Sequence, residues 1–282
     1  MSALLYILWN PAEALHLGPV ALRYYSLLWV LGLAAAYIVV AKLYKRQGVA
    51  QEKFDPLFIY CFLGILIGAR LGHCLLYEPG YFLHHITEML LPIRQDAAGG
   101  WHFTGYAGLA SHGGTLGIII ALWLYCRRYA MPIRQVVDNI AIATPITACC
   151  IRLGNLMNSE IVGKYTGSDW GFVFVANGDT LPRHPGQFYE ALAYLLFFFI
   201  GLWLYKKWPH KVGTGFYFGW CLTSIFTFRL FVEMFKEVQE PWELHMQSLI
   251  GINQGQLLSI PFIVIGVAAL WLSSKQKSTN IQ

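Results

Sequence analysis

Six stretches of this chain, at about 20–41, 56–77, 105–126, 189–205, 213–235 and 255–273, are apolar over the length needed to cross a bilayer. Backbone in lipid must satisfy its own hydrogen bonds, so segments of this kind are helices. Composition agrees. Of 282 residues, 56% are hydrophobic and 12% charged, with a mean hydropathy of +0.49, against about 25% charged in soluble domains. An ordinary soluble enzyme, a disordered chain and a fibrous protein are excluded. The net charge of +5 is too small to argue for nucleic acid.

A seventh stretch, about 134–155, is weaker, because Asp138 and Arg152 leave only 139–151 free of charge. The loop charges require it as a span. With seven helices, Lys42, Lys45, Arg46, Lys53, Arg127, Arg128, Arg134, Lys206, Lys207, Lys211, Lys275 and Lys277 all fall on one side. By the positive-inside rule that side is cytoplasmic. The expectation is an all-α polytopic membrane protein, a single integral membrane domain over 1–282, with its N-terminus outside and its C-terminus cytoplasmic. Two external connections are long, at about 78–104 and 156–188. The second is an external loop region between helices 4 and 5, and its alternating 171–175 predicts a short strand ending in an Asn177-Gly178 turn. The first residues lack a basic region and their apolar run stops at Pro11, unlike a signal peptide.

The polar residues inside the spans gather at one depth. Arg23, Tyr24 and Tyr25, Arg70, His112, Arg152 with Asn155 and Asn158, Gln187 with Tyr189 and Glu190, Arg229 with Glu233, and Asn253 with Gln254 and Gln256 all fall in outer halves. An arginine in a membrane helix costs about 2.5–3.5 kcal/mol on insertion scales. Three of them with several acids imply a shared polar cavity open to the outer leaflet, suited to a lipid headgroup. Guanidinium groups favour phosphate or carboxylate. The plainer alternative is that Arg70, Arg152 and Arg229 simply pair with Glu160, Glu190 and Glu233; Arg229 and Glu233 are four apart on one helix face.

Other features are weighed as structural. Cys61, Cys74, Cys126, Cys149, Cys150 and Cys221 lie in apolar runs without a C-x-x-C pair, as core residues rather than disulfides or a metal site. His84-His85 with Glu88 has no supporting second cluster and is taken as a solvated interfacial stretch. No metal site and no cofactor is expected. Gly64, Gly68 and Gly72, and Gly215 and Gly219, have the spacing of close helix packing. His112-Gly113-Gly114 near a helix start offers backbone N–H groups to an anion, on a weak signal.

These polar islands resemble the bacterial prolipoprotein diacylglyceryl transferases over about residues 18–272. The carrying segments are 18–25, 68–72, 111–117, 152–163 (R-x-G-N-x-x-N-x-E-x-x-G), 183–190 (R-H-P-x-Q-x-Y-E), 229–233 and 255–259. The chain departs from the pattern at Ile151 and Ser159, where glycines are usual, at His73, where tyrosine is common, and at Lys236–Gln239, where an R-x-P-D-like sequence is favoured. The resemblance implies transfer of the diacylglyceryl group of phosphatidylglycerol to the lipobox cysteine thiol of a prolipoprotein signal peptide. It also implies a multi-pass protein of the bacterial cytoplasmic (inner) membrane, in contact with membrane lipids. On this reading Arg152 and Arg229 hold the phosphate, and His112 is a base for the thiol or a headgroup ligand. Tyr25, Asn155 and Gln187 hydrogen-bond the glycerol or phosphate, Glu160, Glu190 and Glu233 orient the arginines, and Arg70 organises the cavity. Asn158, Gly163, His184 and Tyr189 complete the substrate-binding set. The alternatives are an intramembrane serine protease, for which Ser111 beside His112 is poorly placed, and a non-enzymatic transporter.

Overall fold

A computed structural model of the protein describes residues 5–18, 20–91, 93–96, 99–103, 108–237 and 251–275. The chain opens with strands β1 (Leu5–Trp9), β2 (Ala14–Leu17) and β3 (Val20–Arg23). Helix α1 (Tyr24–Arg46) and helix α2 (Gln51–Leu76) follow. Short helices α3 (Pro79–Phe82) and α4 (Ile86–Leu90) lead into strands β4 (Ile93–Gln95) and β5 (Trp101–Phe103). Then come α5 (Ser111–Tyr129), α6 (Ile133–Met157), strand β6 (Trp170–Phe174), α7 (Gly186–Lys207), α8 (Phe216–Val232) and α9 (Gln254–Lys275). The chain divides into two compact units, residues 1–43 with 137–282, and residues 44–136.

Among the described residues, six helices are long and apolar enough to cross a membrane: α1, α2, α6, α7, α8 with its 3-10 extension to Phe235, and α9. Helix α5 is not one of them. It begins at Ser111 rather than 105, after a left-handed Gly108 (φ 79°) and an extended Ala110, and its polar start and Arg127-Arg128 end shorten the apolar part. The expected start of that span, 105–107, lies outside the described residues. The weak stretch at 134–155 is a membrane-length helix, and half of its central window is buried, the largest share of the six.

The all-α expectation needs amending, since the chain also forms three two-stranded sheets. Strand β6 falls one residue before the expected 171–175 and pairs in parallel with β1, Leu5 opposite Trp170 through Trp9 opposite Phe174. A 3-10 turn over Val175–Asn177 and a left-handed Gly178 (φ 76°) follow it, as the Asn-Gly dipeptide implied. The pairs β2–β3 and β4–β5 are antiparallel.

Asp138, which weakened the sequence signal of α6, is wholly buried. It accepts backbone N–H groups from Gly213 (2.8 Å), Gly215 (2.9 Å) and Phe218 (2.9 Å). A helix N-terminus carries unsatisfied donors and a partial positive charge, so a carboxylate on α6 caps the start of α8 across space. Around it pack Leu43, Ile142, Leu204, Tyr205, Val212 and Tyr217. Gly215 belongs to this cap. It sits in the left-handed region (φ 85°) ahead of the helix and does not serve helix packing as its spacing implied. Gly219 does: a Cβ there would lie 2.7 Å from the Gly266 carbonyl of α9.

In the second unit Gly64, Gly68 and Gly72 of α2 face Gly113 and Gly117 of α5 as expected. A Cβ on Gly68 would lie 2.7 Å from Gly117 Cα, and one on Gly113 would lie 2.8 Å from Gly72 Cα. Gly113 is thus committed to packing. All six cysteines are free thiols.

Replacing Asp138 by alanine removes the acceptor of three backbone N–H groups at once. Each buried donor left without one costs about 1–3 kcal/mol, so Asp138→Ala lowers the melting temperature in detergent well below that of Asp138→Asn. Equal melting of the two variants and the parent would contradict the remote cap.

Candidate active site

In the first unit, one chain of ion pairs joins the C-terminal ends of α6 and α8 to the start of α7. Arg152, in the last turns of α6, places Nε 3.0 Å from Glu190 Oε2. Glu190 lies one turn into α7 and is wholly buried, and its Oε1 accepts the Tyr194 hydroxyl at 3.0 Å. Lys236 follows the 3-10 turn that ends α8. Its Nζ lies 3.1 Å from Glu190 Oε2 and donates to Glu233 Oε1 at 2.8 Å. Glu233 in turn stands 3.4 Å from Arg229 Nε. The order is Arg152, Glu190, Lys236, Glu233, Arg229, with a cation at each end. Arg152 keeps 15% of its side chain exposed and Arg229 33%. The contacts of Arg152 and Arg229 to the carboxylates run through Nε, the inner nitrogen of the fork.

The segment after α6 turns back over this ladder. Arg152 Nη1 donates to Asn155 Oδ1 (3.3 Å), and Asn155 Nδ2 to Glu160 Oε1 (2.7 Å), which Asn158 Nδ2 also approaches (3.4 Å). Glu160 therefore reaches Arg152 through Asn155. The backbone doubles back at Ser159 (φ 53°) and Ile161 (φ 57°), both left-handed. That region costs a residue with a Cβ roughly 1–2 kcal/mol, which explains a preference for glycine at position 159. Gln187 Nε2 donates to the Glu160 carbonyl, while the buried Gln187 Oε1 has no hydrogen-bond partner. A Cβ on Gly154 would come within 2.8 Å of the Tyr25 ring, so the bare backbone of α6 admits the half-buried Tyr25.

The loop between α6 and α7 is tied down beside it. Gly163 bridges Lys236 in antiparallel fashion and bonds through its N–H to the His184 carbonyl at 2.9 Å; a side chain there would meet the Phe235 carbonyl. Arg183 pairs with Asp179 (2.8 Å) and Glu237 (2.6 Å) and stacks on Tyr165. His184 Nδ1 lies 3.2 Å from the Tyr189 hydroxyl, and burial holds its pKa below the usual histidine value. Asn253, ahead of α9, donates to the Glu233 carbonyl at 3.0 Å.

The other expected residues fall in the second unit. His112 stands exposed in the first turn of α5. Arg70 is buried and donates to the carbonyls of Glu88 (2.6 Å) and Met89 (3.2 Å), with its guanidinium 4.8 Å from the Phe82 ring. Arg70 thus binds the end of α4, whereas Arg152 and Arg229 pair with Glu190 and Glu233. Glu88 is buried, not solvated as the interfacial reading held. The Tyr81 hydroxyl (2.6 Å) and the Gln95 N–H (3.1 Å) bond to it and hold its carboxyl below the usual range. Among the described residues no cluster of His, Cys, Asp and Glu could hold a metal ion.

Lys236 and Tyr194 were missed in the sequence. Lys236 counts there as a loop cation in a departing segment, although it follows Glu233 by three positions; Tyr194 follows Glu190 by four and looks like core.

Removing a buried partner strands the charges it held, at about 3–5 kcal/mol. Glu190→Ala should therefore unfold at markedly lower temperature, while Glu190→Gln, which keeps an acceptor for Tyr194, loses less. Parent-like melting of Glu190→Ala would show that the ladder does not hold the helix ends.

A profile of the family described as prolipoprotein diacylglyceryl transferase matches residues 12–272. The chain is similar to proteins named phosphatidylglycerol–prolipoprotein diacylglyceryl transferase. That of Bacteroides fragilis is 56% identical over 99% of both chains. That of Tolumonas auensis is 40% identical over 96% of this chain and 99% of its own. That of Porphyromonas gingivalis is 42% identical over 88% and 87%.

Proposed function

Because this chain belongs to the prolipoprotein diacylglyceryl transferase family, we propose that it transfers the diacylglyceryl group of phosphatidylglycerol to the lipobox cysteine of prolipoproteins. The observation that carries the site assignment is the ion-pair ladder: two arginines on separate helices, each steered through Nε by a buried carboxylate and each partly exposed.

The thiolate sulfur attacks the glycerol carbon that bears the phosphate ester oxygen. A C–S bond forms as that C–O bond breaks, and its electron pair stays on the phosphate oxygen. Glycerol phosphate leaves, and the phosphate passes from one negative charge to two. Arginines fixed around it favour the transition state over the ground state. Arg152 and Arg229 take this role. The orphaned Gln187 Oε1 is an acceptor suited to a glycerol hydroxyl, with Tyr25, Asn155 and Asn158 around the same headgroup. Glu190 and Glu233 aim the arginines, Glu160 acts through Asn155, and Gly163, His184 and Tyr189 secure the loop that frames them. His112 accepts the thiol proton, since a free cysteine with a pKa of about 8.5 is mostly protonated at neutral pH. Arg70 braces the segment around α4.

The chain is a multi-pass membrane protein. Its placement in the inner membrane with seven spans, a cytoplasmic C-terminus and the reaction at the outer leaflet rests on the twelve basic residues that share one side.

Mass spectrometry of a lipobox peptide incubated with the purified protein and phosphatidylglycerol tests the reading. A diacylglyceryl thioether is expected; its absence would overturn the function. Arg152→Lys keeps the charge but loses the fork and should lose most activity while still inserting. A base contributes about 10²–10⁴-fold, so His112→Gln should slow by roughly that much and recover in part at higher pH. A pH profile parallel to the parent's would make His112 a binding residue.

A further inference from the structure

Lys236 is the member of the ladder that the sequence placed outside it. The residue is 5% exposed, rare for an ammonium in any setting. Its position is built by backbone on both sides. The bridge to Gly163 pins its main chain, and the Lys164 N–H and the Glu237 N–H bond to the Phe235 and Val162 carbonyls at 2.8 and 3.3 Å. The stem passes over Gly186, where a Cβ would already be 3.5 Å from Lys236 Cγ. The ammonium then reaches Glu190, one turn further into α7, and Glu233, three residues back in the 3-10 turn.

Its electrostatic consequence is definite. Without Lys236, the two arginines and two carboxylates would sum to zero. With it, the ladder holds three cations and two carboxylates, a net charge of +1. Lys236 also contacts one carboxylate of each Arg–Glu pair and so ties the two pairs together. We propose that Lys236 is a specificity-determining residue: placed between Glu190 and Glu233, it sets the ladder's charge to match the single negative charge of a phosphodiester. The inference rests on the proposed transfer from phosphatidylglycerol. It adds that a residue away from the donor decides how well the donor's phosphate is held.

The test uses the full chain in phosphatidylglycerol-containing micelles, with thioether formation on a lipobox peptide as the readout. Lys236→Met takes the ladder to zero net charge and should raise the KM for phosphatidylglycerol about tenfold, the worth of one charged hydrogen bond, with the KM for the peptide little changed. Lys236→Arg should recover most of the donor affinity. The double variant Lys236→Met/Glu233→Gln removes one charge of each sign, returns the ladder to +1 and buries no unpaired carboxylate. It should hold the donor more tightly than the single variant even though it loses the carboxylate beside Arg229; Lys236→Gln, neutral and still able to hydrogen-bond, replaces Lys236→Met if the latter does not insert. A purely structural lysine makes the opposite prediction, with the double variant worse than the single. An unchanged donor KM in Lys236→Met, or a double variant no tighter than the single one, would overturn the inference while leaving the transferase function standing. Absence of product from the parent chain would overturn both.

Discussion

A carboxylate buried without water is several kcal/mol unfavourable unless cations and hydrogen bonds replace its hydration. Glu190 meets that requirement with Arg152 from α6, Lys236 from beyond α8 and the Tyr194 hydroxyl from its own helix. The three elements cannot separate at this end without stranding a charge, so Glu190 fixes where Arg152 stands. Glu233 repeats the arrangement at lower burial, and the Asn253 amide on its carbonyl brings in the start of α9. The same contacts that hold the helix ends fix the guanidiniums, so on the proposed function stability and headgroup recognition are two consequences of one network.

Elsewhere the chain is held by means that need no hydrophobic drive between helices. Lipid is as apolar as leucine, so helices associate through close packing and polar contacts. Glycine backbones meet across α2 and α5 and across α8 and α9, and Gly32 of α1 lies against Cys150 and Thr147 of α6. Asp138 adds a charge-assisted cap at the start of α8. Polar network and polar cap thus fall at opposite ends of α6, near Arg152 and near Asp138, with a largely apolar helix between them.

The helices were legible because apolar length is a strong signal, and α6 was weak for the same reason it matters: its Asp138 and Arg152 are working charges. The ladder's arginines and acids were legible as costly residues at one depth. Lys236 was not, because the sequence cannot show that a loop lysine folds back under Gly163 and over Gly186. The acid partner of Arg229 followed from spacing, while that of Arg152 was legible only as one of three acids. The bonding of Arg70 to backbone carbonyls was not legible, since carbonyls leave no mark in a sequence. Strand β6 was visible as alternation, but its partner β1 lies more than 150 residues away, and parallel pairing over that distance has no local signature. The departure at Ser159 became intelligible only with its left-handed backbone.

The central claim is that the exposed ends of Arg152 and Arg229 form one phosphate receptor. A cryo-electron microscopy map of the chain in nanodiscs containing phosphatidylglycerol tests it most directly. The account predicts lipid phosphate oxygens about 2.7–2.9 Å from guanidinium nitrogens of both arginines, with Lys236 still between Glu190 and Glu233. A headgroup bound with its phosphate on neither arginine, or on one while the other turns away, would contradict it.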